Sequence, residues 1–392
     1  MKIFAYIDAL PFDRIDNKNT PFLNSLILNG KTHFLENIMG YSFGIQSTLL
    51  SGKLPSETGQ WMPYVHSTNS GLTSKTLAST AITFNRFNVN WTLPFFLKRL
   101  HAAFTGNFVI HKGAKIASIP FSVIDKFCIK PYYYMHELPE YLDFKQSFNR
   151  KGFQCHYFGP ILHQNPIASL ISSMRNREVS SGSDSFSFLY LDGLDGIGHN
   201  FGIDSNLWIE TLRQTDRNLQ SLSNFFKSQE IEFKLAIFSD HEMCNAKEII
   251  NLPLFLKQMG ISIPKDVILF VDATIALIWF NNDKAKNIVR KVLEKIGSEK
   301  LVVIQKDEKL LEKSGVLFKD GEYGDLIIQS KPGFIFFPNY YSDLYPLIGV
   351  HGFLPSEKYQ RAFLTLPQDC SCCDSPLHIK DIRRTIEKMM DS

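Results

Sequence analysis

The chain has 392 residues, of which 44% are hydrophobic and 21% charged, and its formal net charge is +3. That length supports a large core without disulfide staples, and so balanced a charge excludes a nucleic-acid surface built on massed cations. No run of about 18 uninterrupted apolar residues occurs, so no membrane span is expected.

The opening MKIFAYIDAL lacks a basic leader and a small-residue cleavage site. It reads as a β-strand, Lys2 to Ile7, that delivers Asp8 to a site. On this reading the protein is cytoplasmic and its six cysteines stay reduced. Thr20 to Leu28 is predicted helical, with Thr20 as N-cap, Pro21 at the first helical position and Asn29-Gly30 as the stop. Ser42 stands at the start of a short helix that Gly52 closes. A plain reading makes it an N-cap. A chemical one makes it a nucleophile at a helix N-terminus, where exposed N–H groups favour phosphate.

Phe84 to Ser180 is rich in Phe and Tyr, includes Tyr132-Tyr133-Tyr134, and lacks the acid-then-glycine loop ends found elsewhere. It is expected to be an insertion that caps the site, although aromatic core is the plainer explanation of its composition. Phe186 to Leu191 and Phe233 to Phe238 read as buried strands. Asp204 to Phe226 and Lys284 to Ile296 carry apolar residues at helical spacing, and Leu269 to Phe337 reads as further α/β structure. The expected fold is α/β, a central and mostly parallel sheet between helical layers. The expected parts are 1–83, the cap 84–180, and 181–392.

Several strands end in residues able to bind metals. Asp195-Gly196-Ile197-Gly198-His199 places a carboxylate and an imidazole on what reads as a glycine-rich loop. Ser239-Asp240-His241 follows the next strand, Asp8 closes the first, and His351 lies between glycines in Val-His-Gly-Phe. Each alone is weak, because a lone Asp-His pair after a strand is more often surface chemistry. Together they offer three carboxylates and three imidazoles, a donor set suited to zinc and tolerable to manganese. Cys370, Cys372 and Cys373 are read as an incidental cluster, since no fourth ligand is evident.

These residues carry a resemblance to the alkaline phosphatase superfamily, in its type I phosphodiesterase/nucleotide pyrophosphatase branch. IDALPFD with NTPFLNSLILNG is similar to the first metal-ligand segment of that branch. Ser42-Phe43-Gly44-Ile45 running on to LLSGKLPSETG resembles its nucleophile segment. DGLDGIGHNFG, SDHEM and VHGF resemble its three later ligand motifs, and all occur in family order.

The resemblance implies an alkaline-phosphatase-like core and a hydrolase of small phosphodiesters or pyrophosphates. It implies two divalent metal ions, zinc with manganese as the alternative. One would sit on Asp195, His199 and His351, the other on Asp8, Asp240, His241 and the Ser42 oxygen, with a phospho-serine intermediate on Ser42. The branch has Pro-Asn where this chain has Gly44-Ile45, which puts its diester preference in question. Gln46 is the expected substitute for that Asn, and Phe43 a second substrate contact. Glu242 replaces a glycine. A phosphomonoesterase or phosphotransferase on the same site is the alternative, and a non-catalytic binding protein a weaker one.

Overall fold

A computed structural model describes residues 1–66, 120, 123, 126–129, 134–160, 162, 165–304, 308–318, 321–341, 345–370 and 378–391. Most of the Phe84 to Ser180 segment before Tyr134, including Tyr132 and Tyr133, and Cys372 and Cys373 lie outside them. The chain forms two compact units: residues 1–61, 135–245 and 348–392, and residues 62–134 and 246–347.

The first unit is built on a six-stranded sheet. In chain order its strands are β1 (Lys2–Ile7), β2 (Gly30–Leu35), β3 (Gln154–Phe158), β4 (Ser185–Leu191), β5 (Lys234–Ser239) and β6 (Ala362–Pro367). Their order across the sheet is β2-β6-β5-β1-β4-β3. The strands from β5 to β3 run parallel, and β6 is antiparallel to both β5 and β2. Alternation along β1 divides the core in two. Phe4 and Tyr6 point to one face, into a cluster with Phe186, Phe188 and Phe238. Ile3, Ala5 and Ile7 point to the other, with Leu189, Leu235 and Ile237. All of these side chains are buried. Each buried Phe, Leu or Ile contributes about 1.5–3 kcal/mol by leaving water, which is why the central strands read as unbroken apolar runs.

Helices cover both faces: α1 (Pro21–Asn29), α2 (Ser42–Ser51), α3 (Pro139–Arg150), α4 (Pro166–Arg175), α5 (Gly193–Phe201), α6 (Asn206–Ser228) and α7 (Ile382–Asp391). Helices α1, α4 and α6 supply the cluster around Ile3, while α2, α3 and α7 supply the one around Phe4. Residues 135–180, placed with the cap by the sequence reading, build α3, β3 and α4 of this unit. Their aromatics Tyr141, Phe144 and Phe148 are core. Thr20 precedes α1 as expected but makes no side-chain cap. The buried Asp216 carboxylate of α6 accepts from the Phe22 and Leu23 N–H groups instead, at 3.2 and 2.7 Å. That cap is tertiary, so no local pattern announces it.

The second unit holds a four-stranded antiparallel sheet in the order Val267–Val271, Ile275–Phe280, Leu326–Ser330, Leu301–Ile304. The amphipathic helix Asp283–Ile296 packs Val289, Val292 and Leu293 into its core. Among the described residues no helix is long and apolar enough to cross a membrane.

Candidate active site

The parallel register brings three strand ends to one edge of the first unit's sheet. Tyr6 on β1 is level with Tyr190 on β4 and with Phe238 on β5. Asp8 and Asp240 therefore emerge side by side, as open α/β sheets tend to present functional groups. The Asp8 N–H donates to the Leu191 carbonyl at 3.0 Å, which continues the sheet one residue further.

The first group is Asp8, Ser42, Asp240 and His241. His241 Nε2 lies 3.5 Å from Asp8 Oδ1 and 3.3 Å from Asp240 Oδ2. Ser42 Oγ lies 3.0 Å from His241 Nε2 and 3.4 Å from Asp8 Oδ1. Ser42 opens α2, and Gly52 closes that helix in the left-handed conformation at φ 73°. The second group is Asp195, His199 and His351. Asp195 Oδ1 is 3.2 Å from His199 Nε2 and 3.3 Å from His351 Nε2, and the two nitrogens are 3.2 Å apart. His241 and His351 stack at the seam, ring centroids 3.9 Å apart. All seven residues belong to the first unit.

The segment from Asp195 to His199 was expected to be a loop, and the structure makes it part of α5. A spacing of four then puts carboxylate and imidazole on one helix face, which a loop would not guarantee. Gly198 is there for close approach. A Cβ on it would lie 2.5 Å from Met243 Sδ, and one on Gly349 would lie 2.4 Å from the Gly198 carbonyl oxygen.

Hydrogen bonds outside each group orient the donors. His199 Nδ1 donates to the Gly349 carbonyl at 2.8 Å, and His241 Nδ1 to the Glu242 carbonyl at 3.0 Å. Because a carbonyl can only accept, each Nδ1 carries a proton, and His241, kept neutral by burial, presents its Nε2 lone pair to the centre. Tyr6 donates to Asp240 Oδ2 at 2.6 Å and Tyr190 to Asp8 Oδ2 at 2.5 Å. Burial holds the Tyr6 and Tyr190 hydroxyls well above the ordinary phenol value, reinforced by the adjacent carboxylates. Both therefore remain donors. Burial pushes the His241 and His351 imidazoles down to about 4 and the Asp240 carboxyl up to about 6. Burial opposes the charge on Asp195, but His199 and His351 outweigh it and hold this carboxyl well below the usual range.

The donors fit divalent cations. Asp195 Oδ1 accepts no well-formed hydrogen bond although buried. The Nε2 atoms of His199 and His351 lie 3.2 and 3.3 Å from it and 3.2 Å from each other, so three ligand-type atoms converge on one point. Two sets of converging atoms, Asp195-His241-His351 and Asp8-Asp240-His241, each lie within 4.8 Å of one another.

Glu242, where the resemblance has glycine, is buried and paired with Arg361, Nε to Oε1 at 2.9 Å. It anchors the turn that carries His241. Gln46 is buried and its amide nitrogen donates to the Tyr190 hydroxyl at 3.1 Å. Ile45 is fully buried, and Phe43 packs partly exposed against the core. The sequence reading took Tyr6 and Tyr190 for strand aromatics and passed over them. Their one signal is position, each on a parallel strand two residues or fewer from an aspartate.

A family model described as type I phosphodiesterase / nucleotide pyrophosphatase matches residues 3–354. The chain belongs to that family. It is accordingly a hydrolase of the phosphodiesterase and nucleotide pyrophosphatase type. Among solved structures it resembles murine ectonucleotide pyrophosphatase/phosphodiesterase 5, an inactive variant in complex with AMP. That match has 14% identity and a TM-score of 0.63, and covers 99% of this chain and 94% of the other. The human counterpart matches at 15% identity and a TM-score of 0.64, over 99% and 94%. At such identity the likeness establishes the fold, a mixed α/β core with its sheet between helices. No curated protein matches the chain by sequence.

Proposed function

We propose that this phosphodiesterase-family hydrolase cleaves a small organic phosphodiester or pyrophosphate through a phospho-serine on Ser42, at a site of two divalent metal ions. The observation that carries the reading is the convergence of six ligand-type side chains from four separate segments beside one hydroxyl. Asp195, His199 and His351 would hold one ion, and Asp8, Asp240, His241 and the Ser42 oxygen the other. Zinc suits this mixed oxygen and nitrogen set, and manganese is the alternative. When bound, such ions supply positive charge that lowers the pKa of a serine hydroxyl and offsets charge on the phosphoryl oxygens.

The protein's own part is positioning. His241 Nε2 at 3.0 Å is placed to accept the single Ser42 hydroxyl proton, beside Asp8 Oδ1 at 3.4 Å, and holds Oγ at the head of α2. Attack by Oγ then forms the new O–P bond as the bond to the leaving oxygen breaks, the proton given up by Ser42 passing to that leaving group. Water then cleaves the phospho-serine, returning the hydroxyl and releasing the phosphorylated product. A small-molecule partner fits this site, and nothing in the charge balance calls for nucleic acid.

Turnover of bis(p-nitrophenyl) phosphate should be lost on chelation by EDTA and return with zinc or manganese. In S42A it should fall at least about a thousandfold, as loss of a nucleophile does elsewhere. Retained turnover in S42A would remove the phospho-serine from the scheme. One observation favours a second reading. Ile45 is buried in the core and carries no donor in place of the family's Asn, while the Gln46 amide nitrogen has one of its two hydrogens engaged with Tyr190. The absence of that Asn leaves a phosphomonoesterase or phosphotransferase open on the same residues. Faster turnover of p-nitrophenyl phosphate than of its diester would establish that alternative.

A further inference from the structure

We infer that Gln46 and Tyr190 are positioning residues that fix the Asp8 carboxylate against the Ser42 hydroxyl, an inference that rests on the proposed roles of Ser42 and Asp8. The basis is a closed ring of contacts. Ser42 Oγ lies 3.4 Å from Asp8 Oδ1, and Asp8 Oδ2 accepts from Tyr190 at 2.5 Å. The Tyr190 oxygen accepts from Gln46 Nε2 at 3.1 Å. Gln46 closes the ring because it lies four residues after Ser42 in α2, one turn along the same helix face.

The direction of each bond is fixed by its atoms. An ionised carboxylate only accepts, so the single phenolic proton goes to Asp8. The phenol oxygen is then left to accept from the amide. The chain runs from Gln46 to Tyr190 to Asp8 and has no alternative polarity. With Oδ2 engaged, Asp8 turns one oxygen, Oδ1, toward Ser42 and His241. Rotation of the carboxylate away from Ser42 would break the bond to Tyr190, so Oδ1 is the oxygen held toward the centre. The helix that carries the nucleophile is tied to the strand end that carries the ligand.

A role in packing alone would not call for these atoms. Methionine and phenylalanine fill nearly the same volumes without burying polar groups, and a buried polar chain costs free energy unless every member is satisfied. Asp240 provides the contrast within the same group. Tyr6 also donates to it, and Asp240 also accepts from the Ala9 N–H at 3.3 Å, but no α2 side chain donates to the Tyr6 hydroxyl in the way Gln46 donates to Tyr190.

The test is a double-mutant cycle on the metal-loaded enzyme with Y190F, Q46M and the pair. Zinc affinity is measured by chelator competition, and kcat and KM with bis(p-nitrophenyl) phosphate. Y190F should lower zinc affinity and kcat by about 10- to 100-fold, with KM little changed, as loss of an outer partner of a metal ligand does. Q46M should cost about 2- to 10-fold in the wild-type background and almost nothing in Y190F, because it acts through the phenol. Wild-type zinc affinity and kcat in Y190F would overturn the inference. So would a Q46M effect that persists in full in Y190F, which would mean that Gln46 acts independently. If Y190F fails to fold, Q46M decides alone, and an unchanged zinc affinity there overturns the inference. Wild-type protein that binds no zinc and turns over no ester would instead sink the underlying function.

Discussion

The two groups proposed to hold metal ions are built on different scaffolds. Asp8 and Asp240 follow adjacent parallel strands, are almost wholly buried, and each is held by a tyrosine from the sheet beneath. Asp195 and His199 ride on helix α5, their side chains 21% and 23% exposed, and His199 is oriented by a backbone carbonyl. The strand-borne group is buried and touches Ser42, the proposed nucleophile. The helix-borne group is more open to solvent, the side from which substrate and water would reach the proposed site. A sheet edge gives precision, and a helix face beside a loop gives access.

That contrast can be broken most decisively by counting metals. Under the proposed site, D195A should lose one of two bound zinc equivalents and keep the other, and D8A should do the same for the opposite ion. Both should lower diester turnover by about a thousandfold or more. Elemental analysis of each purified variant measures the stoichiometry. Loss of both metals from either variant would show the two groups to be one cooperative unit.

A smaller effect is expected from Y6F. It leaves Asp240 in place but removes its buried donor, and should weaken zinc binding by about 10- to 100-fold, read by chelator competition. A comparable loss in H199A but none in Y6F would mean that the sheet holds Asp240 without help from the phenol. The smallest effect on catalysis is expected outside the site. D216A removes the tertiary cap of α1 and leaves two N–H groups without that acceptor. It should cost about 1–3 kcal/mol of stability in urea denaturation, with turnover per folded molecule unchanged. A fall in turnover with unchanged stability would tie α1 to the site.

Much of this was legible in the sequence, for identifiable reasons. Strands such as Lys2–Ile7 are buried on both faces, so they read as apolar runs whose ends are marked by the first acid. The α2 stop at Gly52 was legible because a left-handed turn favours glycine. The segment from Asp195 to His199 was misread as a loop, because two glycines normally weaken a helix. Here the close approach to Met243 and Gly349 outweighs propensity. The 135–180 segment was grouped with the cap because its aromatics carry no catalytic pattern, yet they pack against the sheet. Gln46 could not be placed, since nothing local shows which way a buried amide turns.

What the sequence determined by itself was the chemistry: which carboxylates, imidazoles and hydroxyl are present, and that each stands at the boundary of a regular element, because local periodicity and turn residues encode such boundaries. Only the tertiary structure decided which of them meet, which tyrosine holds which aspartate, and that Gln46 faces Tyr190. Those facts depend on strand order and register, which arise from packing between segments hundreds of residues apart and leave no trace in any single stretch of chain.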